Sequence, residues 1–303
     1  MPRLRPLFSL LFLLITLFSG TGTALAAEEG AHGLPAEAPI LFRIPLPGGY
    51  ELPFSNSMVT LFIVICVIAL VVKACTLKMS LIPRSLQNFI EFVYETLFQF
   101  FSGIMGEKMT QKTFWYFSTA FILILVSNWM GLIPGVGIIT YTNEAGVESP
   151  IFRGANADLN ITLAMGFLFA ILWLYWAIRE VGVSGLFKDI FAPKGSFKGL
   201  MLVMMVPVFF FVGIIDLISI GLRPITLGAR LFGNVYAGEQ IIETMAHMTA
   251  GLPLNYLYSW IPVIPFYFME LLIGFIQALV FTLLGAVFVK MVCVHEGESD
   301  QGH

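Results

Sequence analysis

Residues 199–250 read GLMLVMMVPVFFFVGIIDLISIGLRPITLGARLFGNVYAGEQIIETMAHMTA. This stretch decides the fold. No loop-like cluster interrupts it, and Pro224 can kink a helix without ending it. A helix of about 50 residues would be about 75 Å long at about 1.5 Å per residue, whereas a bilayer's hydrocarbon core is only about 30 Å thick. The stretch is therefore either two helices or one strongly tilted helix running obliquely through a membrane. The unbroken pattern favours the tilted helix.

Composition supports the membrane setting. Of 303 residues, 58% are hydrophobic and 12% charged, and the mean hydropathy is +0.88. Soluble domains run near 45–50% apolar and about 25% charged, so a water-soluble core cannot absorb this side-chain volume. The net charge of −3 carries no basic run able to hold a phosphate backbone, which argues against nucleic acid as a partner. Cys66, Cys75 and Cys293 follow no metal or disulfide spacing and read as small buried hydrophobes.

Working outward, the rest of the chain falls into segments. Arg3 and Arg5, an apolar run from Leu7 to Phe18 and Ala24-Leu25-Ala26 read as a signal peptide over 1–26. The run is shorter than the roughly 20 residues a span needs. Residues 27–56, rich in Gly, Pro and Glu, read as an exposed tail. A single transmembrane domain follows over 57–294, then a tail over 295–303. Met58–Leu77 is a first span, with Lys73 able to reach the interface. After Pro83, Leu86, Phe89, Ile90, Val93, Leu97, Phe100 and Ile104 recur at helical spacing opposite Glu91, Glu95, Gln99 and Ser102. That pattern predicts an amphipathic helix on the membrane surface or packed against other helices. Thr113–Leu132 is a second span, 136–158 a polar loop, Leu159–Ile178 a third span and Arg179–Lys198 a basic loop. After a turn at Gly251-Leu252-Pro253, the last helix runs from Phe266 to Val294. The predicted fold is an all-α integral membrane protein of about five membrane-crossing helices plus one amphipathic surface helix, the last two helices long and strongly tilted.

Basic residues set the orientation. Lys78, Arg84, Lys108 and Lys112 follow the first span, and Arg179, Lys188, Lys194 and Lys198 follow the third. Only Arg153 lies between the second and third. The positive-inside rule places the two basic loops in the cytoplasm. Five crossings then leave the N-terminus outside and the C-terminus inside. Two full spans in 199–250 would break that agreement.

Charge at membrane depth is the strongest chemical clue, since each such group costs about 2.5–3.5 kcal/mol on insertion scales. The two C-terminal helices hold Asp216, Arg223, Arg230, Glu239, Glu243, His247 and Glu270, while the second and third spans hold essentially none. At 100° per residue, Asp216, Arg223 and Arg230 share a face, with Thr226 and Asn234 flanking Arg230. Glu239 points to the opposite side and continues through Glu243 to His247. Glu270 and Gln277 share a face of the partner helix. Two polar tracks result, one from the cytoplasmic side through Asp216 to Arg230, the other from near Arg230 through Asn234 and Glu239 to the outside. An arginine, never deprotonated in practice, blocks continuous proton flow where they meet and attracts a mobile carboxylate.

Plainer readings exist for several of these residues. Asp216 and Arg223 read equally well as a structural pair. Glu243 and His247, candidate relay groups, read more simply as solvated rim residues. His32, His295 and His303 read as tail residues, and Asn128 as a helix-packing hydrogen bonder. For Arg230, Glu239 and Glu270 no structural reason is visible for ionisable groups that deep, which makes function the default for them. Gly228, Ala229, Gly233, Ala237 and Gly238 crowd around Arg230 and fit either a smooth face toward a neighbour or an intramolecular helix contact.

The run Leu227-Gly-Ala-Arg-Leu-Phe-Gly-Asn-Val-Tyr-Ala-Gly-Glu239 closely resembles the signature of subunit a of F-type ATP synthases. Phe275-Ile-Gln-Ala-Leu-Val-Phe281 resembles that family's last helix, and Ser127-Asn-Trp-Met-Gly-Leu-Ile-Pro134 and Ala157-Asp-Leu-Asn-Ile-Thr-Leu163 resemble its second and third spans. The resemblance covers roughly residues 50 to 294. It implies that Arg230 faces a rotating ring of c subunits with Gln277 nearby. Asn234, Glu239 and Glu270 would line an outer half-channel, and Thr226 and Asp216 a cytoplasmic one. It implies partners in the c-ring, the subunit b stalk and membrane lipid, a bacterial inner-membrane location, and no cofactor or metal. Some family members carry a histidine where Glu239 or Glu270 stands; here both are glutamate. No Gly-x-x-x-x-Gly-Lys-Ser/Thr sequence occurs, so ATP chemistry is expected elsewhere. The rival expectation, a self-contained ion-coupled transporter, predicts an internal repeat that the sequence does not display.

Overall fold

The computed structural model describes residues 38–46, 50–77, 85–133, 140–142, 148–191, 200–247 and 260–293. The signal peptide, residues 27–37, the Gly251–Pro253 turn and the 295–303 tail lie outside the described residues. The element order is β1 (Ile40–Leu46), β2 (Tyr50–Ser55), α1 (Asn56–Thr76), α2 (Ser85–Met105), α3 (Glu107–Gly131), β3 (Thr140–Thr142), β4 (Glu148–Pro150), a 3-10 turn (Ala155–Ala157), α4 (Leu159–Glu180), α5 (Gly182–Phe191), α6 (Leu200–His247) and α7 (Trp260–Cys293).

α6 is one helix of 48 residues, about 72 Å at about 1.5 Å per residue. Neither Pro224 nor a second proline, Pro207, ends it. A neighbour secures the proline segment. A Cβ added to Gly166 of α4 would fall on the carbonyl oxygen of Pro224, and one at Gly228 would meet the Thr162 carbonyl oxygen at 2.7 Å. Two glycines thus let α4 and α6 cross backbone to backbone, which is how membrane helices gain packing without a hydrophobic driving force. α7 is also long, at 34 residues, and starts six residues before the expected Phe266: Pro262 falls in the first turn, where its missing N–H has no helix partner, and Pro265 is carried inside the helix without ending it.

Among the described residues, five helices are long and apolar enough to cross a membrane: α1, α3, α4, residues Pro207–Ala246 of α6, and α7. The protein is a multi-pass, all-α integral membrane protein. Cross-links between helices show which ends lie together. Ser55 Oγ, at the start of α1, donates to Asp158 Oδ2 at the start of α4 at 2.9 Å. Lys112 near the start of α3 pairs with Glu180 at the end of α4 at 2.6 Å. Trp173 Nε1 of α4 donates to the Phe288 carbonyl oxygen late in α7 at 3.1 Å. The start of α1 and the end of α7 are therefore at opposite ends of the bundle, with α6 crossing once between them.

The apolar interior joins Phe101 and Met105 of α2, Phe117 and Ile124 of α3, Phe169 and Trp173 of α4, Leu227 and Leu231 of α6, and Phe281, Ala286 and Val289 of α7. α2 is amphipathic as expected, and the face that packs in runs from Val93 to Met105. Leu97 is buried and Val93 and Ile104 pack on the core, while Leu86, Phe89 and Phe100 stay exposed. Gly106, at φ +80°, turns the chain from α2 into α3, a conformation glycine adopts without steric cost.

Two segments depart from expectation. The second half of the expected exposed tail is an antiparallel hairpin, β1 on β2, whose last residue Ser55 is buried and caps α1 by accepting from Met58 N at 3.3 Å. The expected polar loop before α4 contains a hairpin, β3 on β4, and then dives inward, so that Arg153, Asn156 and Asp158 are buried. Within it Arg153 Nε pairs with Glu239, Asn156 Nδ2 with Asn128, and Asp158 with Ser55 and Asn160, which offsets much of the cost of burial.

Candidate ion-translocation site

Asp158 shows how the segment is held. Oδ1 accepts from Asn160 N at 2.9 Å as the N-cap of α4, and Oδ2 accepts from Ser55. An N-cap carboxylate satisfies an orphan donor of the first turn. The fixed start of α4 then aims Arg153 at α6. Arg153, 2% exposed, places Nε 3.1 Å from Glu239 Oε2, and its guanidinium lies 5.6 Å from the centre of the Tyr236 ring. The Gly154 backbone also hydrogen-bonds Glu239, and a Cβ at Gly154 would lie 2.6 Å from Glu239 Oε1. Glycine leaves room there for the carboxylate to come this close.

Glu270 of α7 lies beside this pair. It is 5% exposed, and a Cβ added to Gly238 would fall on its carboxylate. Glu270 thus occupies space that Gly238 leaves open, next in sequence to Glu239, and the two carboxylates interact electrostatically. Glu270 Oε2 is buried and has no hydrogen-bond partner among the described residues. Glu243 in turn lies within electrostatic reach of Glu239. One helical turn past Glu270, Asn128 of α3 donates to the Gly274 carbonyl oxygen at 3.0 Å, while its own Oδ1 accepts from Asn156 Nδ2 at 2.7 Å. Its expected packing role holds, and it also ties the buried loop to α7.

Further along, Asn234 Nδ2 of α6 donates to Gln277 Oε1 of α7 at 2.7 Å, and Gln277 is buried at 3% exposure. This bond and the Glu270–Gly238 contact join the polar faces of α6 and α7. Arg230 does not turn inward with them. It is exposed, and no ion pair or hydrogen bond engages it among the described residues. Thr226, Ala229, Gly233, Asn234 and Ala237 are exposed beside it, forming a strip of small residues. The glycine cluster thus serves both expected uses. Gly228 and Gly238 face inward onto Thr162 and Glu270, while no atom stands within 4 Å of a Cβ at Gly233.

Asp216 and Thr226 are exposed on the other side of Arg230, and the Thr226 hydroxyl donates to the Arg223 carbonyl oxygen at 2.9 Å. Arg223 itself turns inward. Its guanidinium lies 4.2 Å from the Phe288 ring centre and 6.0 Å from that of Trp173, with Asp216 in electrostatic reach. A cation held over ring faces is a structural contact. No described cluster of His, Cys, Asp and Glu could hold a metal ion. The His247 side chain lies outside the described residues.

Arg153 gives Glu239 a partner that the sequence did not show. The sequence hides this pair because the residues lie 86 positions apart and the arginine sits in a segment that reads as loop. Its one signal was that a lone basic residue stood five positions before a helix-capping aspartate.

Known proteins resemble this chain over most of its length. Residues 57–290 match the family model described as ATP synthase A chain. The ATP synthase subunit a of Anaeromyxobacter sp. (strain Fw109-5) is 28% identical over 287 residues, covering 92% of this chain and 64% of the relative. That of Aeromonas salmonicida (strain A449) is 32% identical over 221 residues, covering 72% and 79%. The "ATP synthase subunit a, sodium ion specific" of Propionigenium modestum is 27% identical over 271 residues, covering 83% of each chain. The chain thus spans less than two thirds of the Anaeromyxobacter relative's length but most of the other two. A family match over residues 57–290, which takes in α1 to α7 almost entirely, means that this chain belongs to the ATP synthase A chain family.

Proposed function

We propose that this chain is the ion-translocating stator subunit of the membrane sector of a bacterial F-type ATP synthase, passing protons to and from carboxylates on a rotating c-ring through two offset half-channels. The observation that carries the reading is the exposed Arg230, which meets no acid among the described residues and stands on the small-residue strip of a membrane-crossing helix. An uncompensated cation facing hydrocarbon costs several kcal/mol. A partner must therefore cover this strip and bring an anion to Arg230. A self-contained transporter would enclose such a charge within its own bundle.

A proton enters from outside past Glu239, Glu270 and Asn234 and neutralises a ring carboxylate. The neutral site moves into lipid as the ring turns. On the far side of Arg230 the proton leaves through Thr226 and Asp216 to the cytoplasm, and the guanidinium stabilises the carboxylate left behind. Gln277, bonded to Asn234, holds α6 and α7 at the crossing point. A potential of 100 mV supplies about 2.3 kcal/mol per charge; ring rotation delivers that energy to a catalytic head in other subunits, so this chain does no ATP chemistry itself. The N-terminus lies outside and the C-terminus in the cytoplasm, and the subunit b stalk holds the chain against the turning ring.

The test is ATP-driven ion pumping in inverted membrane vesicles carrying Arg230→Ala, beside a blot for assembled complex. Assembly with pumping abolished supports the reading. Pumping at the wild-type rate overturns it. Running the assay with and without Na⁺ identifies the ion.

A further inference from the structure

Two glutamates stand together on the outer side of Arg230, and their surroundings are unlike. Glu239 is gripped by Arg153 Nε at 3.1 Å and by the Gly154 backbone, with Arg153 itself buried and braced over Tyr236. Glu270 has a buried oxygen with no partner among the described residues and lies in the space opened by Gly238. A carboxylate held by a guanidinium gives up its charge reluctantly, whereas a buried carboxylate oxygen with no hydrogen-bond partner among the described residues is a free site at which a proton can be taken up and released.

We propose that Arg153 is a positioning residue that locks Glu239 as a fixed anion, leaving Glu270 as the carboxylate that carries the transported proton on the outer side. The inference rests on the half-channel reading above. Glu270 takes a proton from water on the outer side and hands it to a ring carboxylate, returning to its starting form. Glu239 stays paired throughout and shapes the field in which Glu270 works. The charged and titratable groups around Glu239 are Arg153 from the segment before α4, Tyr236 and Glu243 on its own helix, and Glu270 on α7. Asp158, the other acid of that segment, is occupied by Ser55 and Asn160.

The experiment measures ATP-driven pumping by the assembled complex in vesicles from about pH 6 to about pH 9, with Arg153→Gln, Arg153→Lys, and Arg153→Gln combined with Glu239→Gln. Arg153→Gln is expected to slow pumping about tenfold and to add a pH dependence absent from wild type, because Glu239, released from its partner, now titrates. Arg153→Lys restores the wild-type pH profile, and adding Glu239→Gln removes the extra pH dependence by removing the group responsible. An Arg153→Gln profile of wild-type shape overturns the proposal, whether the rate falls or not. So does an altered profile that survives Glu239→Gln. Glu270→Gln in the same vesicles separates the two readings. If it pumps like wild type, the half-channel assignment itself fails; if it is inactive while Arg153→Gln has a wild-type profile, only the role of Arg153 falls.

Discussion

Arg153 is buried with a carboxylate at 3.1 Å, whereas Arg230, on the helix that carries that carboxylate, is exposed and meets no acid among the described residues. Around Arg153 the chain is closed. Glycines at 154 and 238 bring backbone against carboxylate, and Asn128, Asn156 and Asp158 hold the surrounding loop. Around Arg230 the same helix is open, with Gly233 facing empty space. The Arg153–Glu239 pair is completed within one chain. An open site leaves a charge whose energy must come from a partner. The difference separates a region that this chain builds alone from one that it shares.

Substitutions at Arg230 should break the comparison most sharply. Arg230→Ala is expected to lower pumping by about two orders of magnitude or more with assembled complex still present. If it instead prevents assembly, the open strip is an assembly surface first. Arg230→Lys should also lose coupling, because an ammonium lacks the planar guanidinium fork; near-normal pumping would make the residue a generic positive charge.

The glycines come next. Gly238→Ala should destabilise the folded chain by about 1–3 kcal/mol, since the new methyl group overlaps the Glu270 carboxylate, read as a lower thermal midpoint of the detergent-purified complex. Gly233→Ala meets nothing in this chain and should leave the midpoint unchanged or slightly raised, since alanine favours helix by about 1 kcal/mol over glycine. Equal midpoints for the two variants would erase the distinction between inner and outer glycines. Asn128→Ala, which strips Asn156 and the Gly274 carbonyl of a buried partner, should cost about 1–3 kcal/mol in the same melt.

The smallest effect is expected at the opposite end of the bundle. The Lys112–Glu180 pair is partly solvent-exposed, at 43% and 25% of side-chain surface, and Lys112→Ala should cost no more than about 1 kcal/mol. A larger loss would show that the closed construction extends beyond the Glu239 cluster.

Much of this was legible in the chain itself. Apolar runs longer than about 20 residues specify membrane helices almost independently of context, because every backbone polar group must be satisfied within the segment. Helical phase, fixed at 100° per residue, correctly put Glu239 on the opposite side of α6 from Arg230. Phase has limits, though. Asp216, Arg223 and Arg230 share a nominal face, yet Arg223 turns in over Phe288 while the other two stay exposed, because a long side chain follows the nearest ring rather than the axis of its helix.

The sequence by itself determined the crossing helices and the cluster of candidate ionisable residues, and it favoured a single long α6, since these depend on local hydrophobicity and periodicity. Only the tertiary structure decided that residues 153–158 are buried rather than looped outside, that Glu239 belongs to Arg153, and that Gly228 and Gly238 face inward while Gly233 does not. Those outcomes depend on contacts between residues far apart in the chain. No local pattern encodes such contacts. A loop arginine and a helix glycine read alike until the neighbouring helix is in place, because burial of a polar group is decided by whether a partner stands within hydrogen-bonding distance.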